Sequence, residues 1–305
     1  MEKTSEYAGI CYDFISDKFL LSLGEFPDIT AAFYNGNFEK SLVQAQKDKH
    51  AWVLEGIDYY HGQRILDIGC GWGPMLKAIE DRDGKAVGLT ISQKQAQYCQ
   101  NNSLDARLED WKLASPDRLG RFDGIVSIGA FEHFCSLEEY QSGRQEEIYK
   151  AFFKFCHDLL STDGTLFLQT MTWGNRVPHT KELDHKARYG SHSNILGNIM
   201  ALSSWWPPES IEQIIQTAKP QFDLVEENNG REDYIRTMLE WKLAWDSVPL
   251  IKKVPVNVKT SFSYWTVHDF RRGWPRFKET AKHQLFREAF INRILDHERM
   301  FFKKK

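Results

Sequence analysis

The chain has 305 residues, enough to bury a sizeable core, and its 42% hydrophobic and 27% charged residues argue against disorder. Thirty-nine basic and 42 acidic side chains give a net charge of −3, so bulk charge does not point to nucleic acid. No run of 18 apolar residues exists for a transmembrane helix. The start, Met1 to Ile10, carries Glu2, Lys3 and Glu6 and lacks a signal-peptide pattern, so the cytoplasm is the expected location.

Residues 1–58 read as helical, with apolar and charged positions at helix-like spacing over Tyr12–Leu23 and Lys40–Leu54. Pro27 and the run Asn35-Gly36-Asn37 mark a loop between them. From Arg64 the pattern changes. Arg64–Ile68 is a short buried strand, followed by the turn Gly69-Cys70-Gly71-Trp72-Gly73 and by Pro74, placed for the first turn of a helix. Lys85–Leu89 is a second strand, and Ser92 is an N-cap for a helix to about Asn101. Phe122–Ile128 is a third strand. Ile148, Phe152, Phe155 and Leu159 then fall at spacings of four, three and four, an amphipathic helix over Glu146–Leu160. Asp163-Gly164 turns the chain into the strand Thr165–Thr170. Strands alternating with helices imply βαβ units and a parallel sheet.

Residues 171–207, rich in Gly, Asn, His, Ser and aromatics, break the rhythm as an insertion or lid. A helix after Pro207-Pro208, a strand near Phe222–Glu226 and a helix from Asp233 to Trp245 follow. The remainder reads as helical, with room for a short final strand and a frayed tail at Phe301–Lys305. Five scattered cysteines (Cys11, Cys70, Cys99, Cys135, Cys156) never fall in a CxxC spacing, so neither a disulfide framework nor a cysteine zinc site is expected. His179, His185 and His192 lie six and seven apart, a poor metal spacing, and read as solvated loop residues. No metal is expected.

The glycine turn follows the first strand directly. Without Cβ atoms, Gly69 and Gly71 let the backbone turn tightly and approach a ligand. The spacing is G-x-G-x-G and the second strand ends at Thr90, whereas a dinucleotide fingerprint needs G-x-G-x-x-G and an acid after that strand. Taken alone, such a turn can also be purely structural.

ILDIGCGWG (65–73), GLTISQKQ (88–95), FDGIVSIGAFEHF (122–134) and the YIRT of Tyr234–Thr237 together resemble the cyclopropane-fatty-acid and mycolic-acid synthase family of S-adenosylmethionine methyltransferases. The resemblance runs in order from about Cys11 to Thr237. It implies a Rossmann-like class I methyltransferase fold (α/β, a mostly parallel sheet with helices on both faces) and S-adenosyl-L-methionine as cofactor. By this resemblance Gly69 and Gly71 face the cofactor's amino-acid end, and Thr90 and Gln95 lie near its ribose. Trp111 takes the adenine side, with core packing as its alternative role. Phe33 and Tyr34 close over the methionine portion, and Ile128 lines the same pocket.

Glu132 and His133 lie just past the strand Phe122–Ile128, at the carboxyl end where open α/β sheets bind ligands. An alkene carbon that takes up a methyl cation leaves a carbocation, and a base nearby decides which proton departs. The resemblance assigns Glu132 and Tyr234 to a site holding bicarbonate. Helix capping is the alternative for Glu132, and a packed aromatic at a helix start is the alternative for Tyr234. Two positions depart from the family pattern: its site histidine is Gln169 here, and its cysteine falls at Asn35. Neither Gln nor Asn titrates near neutral pH, which leaves bicarbonate open and lets Glu132 act directly.

The expected molecule is one methyltransferase domain over 1–305. Residues 1–58 form a helical cover, 59–170 the cofactor core, 171–207 the insertion, and 208–305 the remaining core with substrate-side helices. Seven of ten tryptophans follow residue 172, suiting an apolar small-molecule acceptor. The leading expectation is carbon methylation of an alkene in a lipid-like or isoprenoid molecule, with cyclopropane formation as one outcome. Nitrogen methylation of a small amine, as in plant benzylisoquinoline N-methyltransferases of similar outline, comes second and oxygen methylation third. A cofactor-binding module without turnover is the reading from another class. Phe301-Phe302 followed by three lysines allows peripheral membrane contact but falls short of a polybasic cluster. The oligomeric state is not legible.

Overall fold

A computed structural model describes residues 17–184, 186–202, 205–267 and 284–305. Seven strands form one sheet: β1 (Arg64–Ile68), β2 (Lys85–Thr90), β3 (Ala106–Leu108), β4 (Phe122–Ile128), β5 (Leu160–Trp173), β6 (Phe222–Asn229) and β7 (Leu295–Lys304). Their spatial order is β3-β2-β1-β4-β5-β7-β6. β1 to β5 are mutually parallel, and β7 runs antiparallel between β5 and β6. This is the Rossmann-like methyltransferase architecture, with the order reversing between β1 and β4.

Besides a helical stretch at residues 17–23, eleven helices accompany the sheet among the described residues: α1 (Leu42–Gly56), α2 (Pro74–Glu80), α3 (Gln93–Asn101), α4 (Pro116–Leu119), α5 (Leu137–Gln141), α6 (Gln145–Leu159), α7 (His192–Leu202), α8 (Ile211–Ala218), α9 (Arg231–Ser247), α10 (Leu250–Val267) and α11 (Gln284–Ile291). The strands' alternation of side chains explains why helices cover both faces. Leu66, Leu166, Leu168, Met300 and Phe302 join one apolar cluster with α6 and α8. Ile65, Phe167 and Phe301, one residue out of step, join another with α1 and α2.

Several expectations change here. The short strand β3 and helix α5 went unread. The insertion is not simply a loop: β5 continues to Trp173, and α7 packs Ile195, Leu196 and Ile199 into a third cluster with Trp205 and Trp206. His179 caps a 3-10 turn at Thr180–Glu182, His192 opens α7, and His185 lies outside the described residues. The expected frayed tail is strand β7, with Phe301 and Phe302 buried and Lys304 Nζ donating to the carbonyls of His157 and Leu160. Two sheet neighbours supply its backbone partners, which a local reading could not see. Residues 12–16 of the first expected helix fall outside the described residues. Among the described residues, no helix is long and apolar enough to cross a membrane.

Candidate active site

A cavity of about 470 Å³ opens at the carboxyl ends of β1, β2 and β4, beside the point where the strand order reverses. Open α/β sheets bind ligands there because neighbouring connections leave in opposite directions. The glycine turn forms one wall. Gly69 has φ +88°, and a Cβ on it would run into Ala130. Gly71 has φ +55° with nothing near the position its Cβ would take, so its backbone stands open to the cavity. Both conformations favour residues without a side chain.

Along the next wall Thr90, at the end of β2, donates from Oγ1 to Gln95 Oε1 at 2.8 Å. Ser92 caps α3, its Oγ accepting from the Gln95 amide, which fixes Gln95 beside Thr90. Trp111 lines the cavity while its ring packs against Phe134, Phe152 and Phe155, so it is both wall and core. Ile128 lines the cavity at the end of β4. At the floor lies Asp67, buried, with no hydrogen-bond partner for Oδ1. Burial, reinforced by the charge of Asp28, pushes its carboxyl up to about 7.

The cover differs from expectation. Phe33 and Tyr34 do not line the cavity. Phe33 stacks on Trp52 with ring centroids 4.6 Å apart, and Tyr34 is buried beside Ala32 and Ala45. Their aromatic rings are worth more to the packing around α1 than to a polar pocket. Pro27 to Thr30 from the same segment line the cavity instead. They are pinned by α1: Lys49 Nζ donates to Asp28 Oδ2 and Thr30 Oγ1, each at 2.6 Å, and His50 Nε2 lies 2.9 Å from Asp28 Oδ2. These partners hold the Asp28 carboxyl well below the usual carboxylate range against its burial.

Glu132 sits in a 3-10 turn (Phe131–His133) and lines the cavity from below β4. Thr170 Oγ1 donates to Glu132 Oε2 at 2.9 Å, and the backbone amides of Met171 and Glu132 itself also donate to the carboxylate. Burial nevertheless wins and pushes the carboxyl up to about 7. Glu132 caps no helix: the following helix α5 is capped by Ser136, with Glu139 reaching back to complete the capping box. His133 lines the same cavity, and burial pushes its imidazole down to about 4. Tyr234, in the first turn of α9, lines it too. Burial and the charges of Glu132 and Asp28 raise its phenol above the usual range, so it stays protonated.

The two departures from the family pattern separate in space. Gln169 is fully buried, its Nε2 donating to the Ala31 carbonyl and its Oε1 accepting from Arg299 Nε, both at 3.4 Å. Asn35 is exposed on a left-handed turn at φ +50°, so its assignment to the anion site is corrected: the cover residue against Gln169 is Ala31. Sequence reading missed Asp28, Thr30, His50 and Asp67. Asp67 alone carried a local signal, standing directly before the glycine turn. The others reach the cavity by packing across α1.

The wall is acidic. Among the described lining residues Asp28, Asp67, Glu109, Asp110, Glu132 and Glu139 stand against one lysine or arginine, Lys112, with His50 and His133. Such a surface favours a cationic ligand.

The family model for mycolic acid cyclopropane synthetase matches residues 2–249. Cyclopropane mycolic acid synthase 1 of Mycobacterium tuberculosis is 37% identical over 166 residues, covering 53% of this chain and 54% of that protein. The match therefore spans about half the length of this curated relative. The crystal structure of mycolic acid cyclopropane synthase CmaA1 complexed with SAH and CTAB superposes with a TM-score of 0.74 at 25% identity, covering 98% of both chains. Coclaurine N-methyltransferase shares the fold, with a TM-score of 0.70 at 16% identity over 96% of this chain and 78% of that one. Motifs in register, a cavity at the strand-order reversal and a family match over most of the sequence agree: the chain belongs to the mycolic acid cyclopropane synthetase family.

Proposed function

We propose that this protein is an S-adenosylmethionine-dependent methyltransferase that methylates an alkene carbon of a lipid-like acceptor. One observation carries the reading: Glu132, a buried carboxylate poised near neutrality, faces a cavity whose other charges are mostly acidic. The residues present fit the cofactor. The open face of Gly71 admits a ligand against backbone, Asp67 Oδ1 offers an unpaired acceptor to an ammonium, and Thr90 and Gln95 offer polar groups beyond it. When bound, S-adenosylmethionine supplies an electrophilic methyl group on a sulfonium.

The chain's own residues do the rest. Trp111 and Ile128 exclude water from one side, and the Pro27–Thr30 cover closes the other. Glu132, as carboxylate, removes the proton that the methylated acceptor must lose. Proton loss from the new methyl closes a cyclopropane, and loss from a neighbouring carbon leaves a methylated alkene. Tyr234, held protonated, donates a hydrogen bond rather than accepting a proton. His133, largely neutral at pH 7, is too weak a base to compete. Bicarbonate fits poorly, because Gln169 is already engaged with Ala31 and Arg299 and Asn35 lies outside.

The relatives support the acceptor class: one solved structure is of a mycolic acid cyclopropane synthase holding the surfactant CTAB. The test is single-turnover transfer from methyl-labelled S-adenosylmethionine to unsaturated acyl lipids and to an amine panel, with products read by mass spectrometry. A new C–CH₃ bond is expected. A product methylated only on nitrogen would overturn the acceptor assignment, and no transfer to any acceptor would leave a binding module.

A further inference from the structure

Helix α10 is amphipathic the wrong way round. Leu250, Ile251, Val254 and Val258 fall within about 100° of arc at 100° per residue. All four face solvent, with relative exposures of 73%, 82%, 50% and 63%. Lys253, by contrast, turns inward, its Nζ donating to the Asp246 carbonyl at 3.0 Å and lying over the Trp245 ring. The helix gains little from its own sequence, since it holds four valines and an internal proline, Pro255, which removes a backbone donor. A helix with poor propensity and an apolar face in water needs a surface that the rest of the described chain does not supply.

Charge selects the occupant. The segment Leu250–Val267 has three lysines and no acidic residue. The chain carries −3 overall, so the remainder carries −6 and the helix +3. Two copies meeting through this face would set +3 against +3. An anionic surface would instead be drawn to this helix and repelled by much of the rest. Lys252 is exposed about 100° further round the helix than Ile251, on the polar side, where its ammonium stays in water above an apolar face set into headgroups. We propose that α10 docks the protein on an anionic lipid bilayer, its Leu250–Val258 face lying in the interfacial plane. This does not depend on the proposed reaction. The surface belongs to α10, not to the end of β7, where Phe301 and Phe302 are buried in the sheet.

Co-sedimentation of the full chain with vesicles tests it, without cofactor or acceptor present. The vesicles are phosphatidylglycerol mixed with phosphatidylcholine, or phosphatidylcholine alone. The protein should pellet with the anionic vesicles, less so as salt is raised. The double variant Ile251→Glu and Val254→Glu should lose about tenfold or more of its partitioning. Lys252→Glu should lose less. Circular dichroism melting should be unchanged in all variants, because the positions are exposed. Failure to pellet, equal pelleting on neutral vesicles, or full binding by the folded double variant would each overturn the proposal. So would a dimer in sedimentation velocity that the same double substitution dissolves.

Discussion

At the β1–β2 end of the cavity the working groups are largely backbone and short-range: a five-residue turn, a capped helix start and Thr90 beside Gln95. At the β4–β5 end they are buried side chains brought together over long sequence separations. Glu132 meets Thr170, and Tyr234 arrives from α9. Both ends hold a carboxyl pushed up to about 7, Asp67 at one and Glu132 at the other. Asp67 has an oxygen with no partner, whereas Glu132 is held by a hydroxyl and two amides. A floor left unpaired suits a group supplied by a ligand; a carboxylate oriented from three sides suits a proton taken at one place. Substitutions can separate the two roles.

The largest effect should come at Glu132. General-base contributions are typically about 10²–10⁴-fold, so Glu132→Gln should lower turnover by a factor in that range and leave S-adenosylhomocysteine affinity nearly unchanged. The raised carboxyl also sets the sign for stability. Between the ordinary carboxylate range and about pH 7 the folded state binds more protons than the unfolded one, so Glu132 and Asp67 destabilise increasingly as pH rises through that window. Glu132→Gln should therefore keep or raise the melting temperature above pH 7. A lowered melting temperature with normal turnover would make Glu132 a structural residue.

Gly71→Val attacks the opposite end. A β-branched residue at φ +55° is strained, and its side chain would enter the open face, so affinity for S-adenosylhomocysteine should fall about tenfold or more by calorimetry. Unchanged affinity in a folded variant would take Gly71 out of the site.

How much of this could be read from the sequence follows the same division. The glycine turn, the Ser92 cap, Thr90 with Gln95, and Glu132 at a strand end are local patterns, and each sits beside the cavity where its motif placed it. The cover was misread: aromatic Phe33 and Tyr34 drew attention, yet the cavity is lined by Pro27–Thr30, held through Lys49 and His50 two turns into α1. Burial sorts such segments, and a rotation of a few residues is invisible without the partner helix. Strand β7 failed for a similar reason. His297, Glu298 and Arg299 look like surface residues, yet all three are buried, and Arg299 bonds Asp233, Asn228 and the Ala32 carbonyl across three separate segments.

A subtler change should tune the acceptor end without removing its base. Turnover over KM should rise with pH through about 7 as Glu132 ionises. Thr170→Val deletes a hydroxyl that stabilises the carboxylate, so the inflection should move upward by about one unit with little change in cofactor affinity. An unmoved inflection would assign the profile to another group. Adding bicarbonate to carbonate-free buffer should change turnover by less than about twofold, because Gln169 offers no titrating group. Strong dependence would place the anion in the site despite that residue.

The smallest expected effect is at Asn35, and it separates a motif position from a functional one. If this residue were a ligand to an anion beside Glu132, Asn35→Ala would depress turnover as a lost polar contact in a buried site does. The structure places it on an exposed turn at φ +50°, a conformation that Asn tolerates better than Ala. Asn35→Ala should then cost no more than about 1 kcal/mol of stability and no measurable turnover. Asn35→Gly, which relieves the same backbone preference, should recover most of that stability. Denaturant midpoints of the three proteins, measured beside their initial rates, decide it. A fall in rate for both variants with unchanged midpoints would return Asn35 to the reaction centre and require the cover to rotate three residues inward.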